Sequence, residues 1–146
     1  MRYVSILSLC IFFAVMSNLF LTDARELPAE SSTDLRAELR DQQITVYSEI
    51  FEITKEAEKS GEVSREDVIK AYLAYTDARL SSASSQEERL NLLGERVSAH
   101  RDLEHLRKQN SEDGSVSRVG HLKAVAERIG AEIDLANEQQ KQQPKR

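Results

Sequence analysis

Apolar residues return every three or four positions through most of this chain, the spacing of one face of an α-helix. From Thr33 to Ser60 the line is Leu35, Leu39, Gln42, Val46, Ile50, Ile53 and Ala57, widened by Ile44, Tyr47 and Phe51. A second run begins at Ser64 and carries Ile69, Leu73, Thr76 and Leu80, with Val68, Tyr72, Tyr75 and Arg79 beside them. A third extends to Asn110 on Leu92, Arg96, Ala99, Leu103 and Leu106, flanked by Leu90, Leu93 and Val97. The fourth, Ser117 to Gln139, shows Leu122, Ala126, Ile129, Ile133 and Ala136. No proline stands between Pro28 and Pro144, so nothing forbids long helices there.

The punctuation is equally regular. Gly61 and Gly114 suit the left-handed residue that ends a helix. Ser64 can accept from the free amide of Asp67, and the Asp67 carboxylate suits the positive helix end, as in a capping box. Ser117 repeats the serine cap, and "SSASSQEE" (Ser81 to Glu88) supplies the turn between the halves. "GEVSRED" from Gly61 returns as "GSVSRVG" from Gly114, an interval of 53 residues. Aligned over Gly61–Leu80 and Gly114–Ile133, the copies share seven residues: Gly, Val, Ser, Arg, Lys, Ala and Ala. The helices before them match in type, as Ile44/Val97, Ile50/Leu103 and Ile53/Leu106. The expectation is an all-α protein, an antiparallel four-helix bundle or coiled coil made of two tandem helical hairpins, residues 33–81 and 86–139 within a domain 33–140.

The N-terminus is of another kind. One arginine, an apolar run from Val4 to Leu21 and the small residues Thr22 and Ala24 form the layout of a secretory signal peptide, residues 1–24. The alternative is an uncleaved membrane anchor, since the run approaches the roughly 20 residues of a bilayer span. Residues 25–32 read as a polar linker and 141–146 as a disordered tail. The expected location is secreted or periplasmic, with inner-membrane anchoring the alternative. Cys10 is the only cysteine and lies inside the apolar run, so the domain has no thiol for a disulfide, a nucleophile or a metal.

The net charge of −5, with no basic stripe, argues against a nucleic-acid partner. Carboxylates are many, but a slender bundle offers no pocket to set one apart as an acid or base. The serines of "SSASS" lack a neighbouring base and read as turn residues. His100 and Glu104 fall four apart, while His105 points elsewhere on the helix, and two ligands make no metal site. No catalytic residue, metal ligand or cofactor is assigned. Tyr72 and Tyr75 stand beside the first turn as a candidate partner contact, or as filling between helices, because the second hairpin puts Val125 and Arg128 there.

"SGEVSREDVIKAYLAYTDARL" resembles the hairpin segments of TolC-type outer-membrane efflux proteins. The shared features are a helix ending at Gly61, Ser64, Asp67 with an aliphatic Val68, and alanines about a heptad apart at Ala71 and Ala78. The second copy keeps Gly114, Ser117, Ala124 and Ala131 but has Gly120 and His121 in place of the Asp-aliphatic pair. The resemblance implies a helical surface that docks helical partners, as such hairpins meet an adaptor in that family. No alternating strand segments of a membrane barrel are present. The expected function is therefore an exported, non-enzymatic scaffold or protein-binding module of the cell envelope, with a link to efflux assemblies. Its partner would be another helical protein or the chain itself, with membrane involved only if the first segment stays uncleaved. The alternative is a periplasmic metal or stress sensor using acidic side chains and His100, His105 or His121.

Overall fold

The computed structural model describes residues 29–141, with side chains from Thr33 onward. The expected export segment and most of the tail lie outside the described residues. Four helices follow in order: α1 (Ala29–Ser60), α2 (Arg65–Ser82), α3 (Gln86–Glu112) and α4 (Arg118–Gln140). The fold is all-α, a helical bundle, with no strand among the described residues. The chain divides into two units. Residues 1–35 hold the opening turns of α1, where Leu35 is exposed, and residues 36–146 hold all the packing described below.

Helix α1 starts at Ala29, inside the stretch expected to be linker. Ala29 and Glu30 are good helix formers, and an acidic residue type suits the first turn of a helix. The other boundaries fall within two residues of expectation. At Gly61 (φ +78) the amide donates to the Glu58 carbonyl at 3.0 Å, and the Glu62 amide donates to Ala57 at 2.9 Å. This pair of bonds is a Schellman ending, which needs a left-handed residue. Gly114 (φ +83) turns the chain again, where the Val116 amide reaches back to the Asn110 carbonyl at 2.8 Å.

Helix α3 is the middle of the molecule. Ile69 and Leu73 of α2 pack with Ala99 and Leu103 of α3 and Ala124 of α4, with Tyr72 and Leu106 against them. Arg96 interrupts the apolar line of α3 for a reason: it reaches Asp77 of α2 at 3.2 Å and Asp134 of α4 at 2.9 Å. Arg107 does the same, meeting Glu66 of α2 at 2.9 Å and Glu127 of α4 at 3.8 Å. Both pairings run residue numbers in opposite directions, so α3 lies antiparallel to α2 on one side and to α4 on the other. At the far end, Gln86 donates to the Glu138 carbonyl at 3.3 Å, and the Glu138 carboxylate takes Lys141 at 2.7 Å.

Two of the four expected core faces lie elsewhere. On α4, Ala124 and Ala131 are buried, whereas Val119, Leu122, Ile129 and Ile133 are exposed. Small side chains let α4 approach α3 closely, and the larger aliphatics then fall on the opposite side. On α1, Leu39, Val46, Ile50 and Ile53 are exposed, and the inward line is the one of Ile44, Tyr47 and Phe51. Each face is an apolar stripe, as its periodicity predicts, but among the described residues nothing covers these two.

Candidate interaction surfaces

The hairpin turns are rigidly specified. Ser64 accepts from the Asp67 amide at 3.2 Å, and the Asp67 carboxylate accepts from the Ser64 amide at 3.1 Å and hydroxyl at 2.6 Å. That reciprocal pair completes the capping box and holds the Asp67 carboxyl below its ordinary range, the Ser64 hydroxyl contributing most. Ser117 caps α4 by accepting from Gly120 at 3.2 Å, without a returning side chain. Gly120 has its own reason: a Cβ there would come within 2.7 Å of the Val116 side chain. The second turn thus replaces a polar box with close packing of Val116.

The aromatic residues form the seam between α1 and α2. The Phe51 ring lies 5.2 Å from Tyr72, tilted by 48°, and 6.3 Å from Tyr75, nearly parallel at 9°. Tyr72 donates its hydroxyl to Glu95 at 2.9 Å, and the Arg79 guanidinium sits 5.4 Å over Tyr75. Burial, followed by the Glu95 carboxylate, raises the Tyr72 hydroxyl above its ordinary pKa. Adding the repeat interval, Phe51 corresponds to Glu104 and Tyr75 to Arg128, and these two form an ion pair in the second hairpin. The same repeat position is held by ring packing in one half and by charge in the other.

Beside this seam lies a cleft of about 390 Å³, lined by Phe51 and Lys55 of α1, Tyr72 of α2, and Glu95 and Asp102 of α3. Its lining mixes apolar side chains with charges of both signs. The histidines do not converge on it. His100 sits in α3 near Arg96, with its imidazole pKa lowered by burial and then by that arginine. His105 bonds to Gln109 at 3.0 Å, and His121 lies at the start of α4. Among the described residues, no three His, Cys, Asp or Glu side chains gather closely enough to hold a metal ion. No helix among the described residues is long and apolar enough to cross a membrane.

The largest feature is the pair of aliphatic stripes. Leu39, Val46, Ile50 and Ile53 line α1, and Val119, Leu122, Ile129 and Ile133 line α4, each residue between 44% and 64% exposed. Steps of three, four and seven along each helix give both stripes the spacing of coiled-coil seams. No family model matches the chain, and no curated protein or solved structure does either.

Proposed function

We propose that this protein is an exported, non-enzymatic helical scaffold of the cell envelope that binds helical protein partners through its α1 and α4 stripes. The observation that carries the reading is the exposure of eight large aliphatics in two straight lines. Scattered surface leucines need no explanation, but contiguous apolar stripes on a folded chain mark contact surfaces. Export rests on the apolar N-terminal run followed by small residues, and the link to efflux assemblies on the resemblance of the capped hairpin around Gly61, Ser64 and Asp67. Those turn residues would hold the hairpin tip in one shape for docking.

The test is photo-cross-linking in the producing cell, with a photoreactive residue at Ile50 or Ile129. Protein adducts formed there, and absent when the probe sits at the polar positions Asp41 or Gln139, support the scaffold. Absence of protein adducts from both stripes would overturn it.

A further inference from the structure

The two uncovered stripes are related to each other through a contact already present inside the chain. In the core, Ile69 and Leu73 of α2 meet Ala99 and Leu103 of α3, with Leu106 packed alongside. Advanced by the repeat interval of 53 residues, Ile69 and Leu73 become Leu122 and Ala126, which lie on the exposed line of α4. Moved back by the same interval, Ala99, Leu103 and Leu106 become Val46, Ile50 and Ile53, the exposed line of α1. Leu92, fully buried in α3, becomes Leu39, and Thr76, fully buried in α2, becomes Ile129. The α2–α3 interface thus has both of its halves repeated in the sequence, and both repeats face outward.

In stacked-repeat proteins each unit buries its face against the next one. Among the described residues none covers the outer faces of α1 and α4, and a second copy of the chain carries the complement of each. We infer that α4 of one chain packs against α1 of a second copy, in the manner of α2 on α3, and that the contact is returned to close a two-fold dimer. This rests on the scaffold reading above and names the partner of the stripes.

Polar neighbours agree with that partner. The ion pair Arg107–Glu66, which ties α3 to α2, corresponds to Thr54 and Val119, and the pair Arg96–Asp77 to Gln43 and Gly130. Each charged pair becomes a neutral one, so the equivalent contact between copies buries no unpaired charge at these points. The area argues for closure. With roughly 80 Å² of apolar surface left on each aliphatic, one α4–α1 contact buries about 650 Å² in all. A returned contact doubles this to about 1,300 Å², inside the range of about 1,200–2,000 Å² for stable interfaces. An isologous two-fold arrangement is also the commonest closed assembly.

The experiment is light scattering coupled to size exclusion on the protein as the cell processes it, together with Ile53→Lys on α1 and Leu122→Lys on α4. Both residues are more than half exposed in the single chain, so circular dichroism should show unchanged helix content in both variants. The wild type is expected at the mass of two chains and each variant at the mass of one. An equimolar mixture of the variants should associate again, more weakly than wild type, because one of the two contacts is then intact on both sides. Three results would overturn the inference: a monomeric wild type, a dimer that only one of the two substitutions breaks, or a mixture that stays monomeric. If the wild type is monomeric while photo-cross-links at Ile50 and Ile129 capture a protein of another mass, self-pairing falls and the scaffold reading stands.

Discussion

Leu103 and Ile50 occupy the same place in the two repeats, yet the structure gives them opposite environments. Leu103 is 2% exposed at the junction of α2, α3 and α4, while Ile50 is 44% exposed on α1. Truncating a buried leucine removes its transfer energy and leaves a cavity, so Leu103→Ala should cost about 3–4 kcal/mol. Ile50→Ala removes surface that is half hydrated and opens no closed cavity, so about 1 kcal/mol is expected. Both substitutions belong in a Leu122→Lys background, which keeps chains apart. Urea unfolding followed by circular dichroism should then show a lower midpoint with an unchanged slope for each. For a chain of this size, Leu103→Ala should lower the melting temperature by about 10 °C and Ile50→Ala by about 3 °C. Equal losses at the two positions would refute the assignment of α1's stripe to the outside.

The turns give a second prediction: Gly61→Ala meets no atom within 4 Å, so its loss of about 1 kcal/mol, read by thermal melting, should come from the positive φ alone. Ser64→Ala should cost about 1 kcal/mol in the same assay and more than Ser117→Ala, because only Ser64 has the returning Asp67 bond. Arg107 and then Lys70 hold the Glu66 carboxyl below its ordinary range. A depressed folded-state pKa adds stability above the unfolded carboxylate value and loses it as pH falls through the folded one. Wild type should therefore lose its advantage over Glu66→Gln on acidification below about pH 4.5, as shown by urea midpoints measured across pH. Replacing Tyr72 and Tyr75 together by Ala removes both rings packed against Phe51 and the bond to Glu95; a clear fall in melting temperature is expected. Divalent cations should leave melting unchanged, because His100, His105 and His121 are not brought together.

The four helices, the glycine endings of α1 and α3 and the serine caps of α2, α3 and α4 were legible because each is a local property. A left-handed glycine and a serine three residues before an amide act within one turn of chain, and no tertiary partner alters them. The early start of α1 at Ala29 was missed because Pro28 and a polar stretch resemble a linker, while Ala29 and Glu30 are free to begin a helix. What covers each face was less legible. On α4 the larger side chains, Leu122, Ile129 and Ile133, dominate any apolar pattern, but the seam in the chain is made by Ala124 and Ala131. Periodicity identifies a stripe and is silent on whether its cover is in the same molecule. Arg96 and Arg107 were also opaque: an arginine on an apolar line reads as a break, and only the packing shows it spanning two neighbours. The proposed contact surfaces run along the helices rather than at the capped hairpin tips.

The covering of the stripes can be observed directly by methyl NMR with a soluble paramagnetic agent. In the Ile53→Lys chain, the methyls of Ile129 and Ile133 should be strongly relaxed while those of Leu92 and Leu103 stay protected. In the wild type all four should be protected. Equal relaxation of Ile129 and Ile133 in the two proteins would contradict the account.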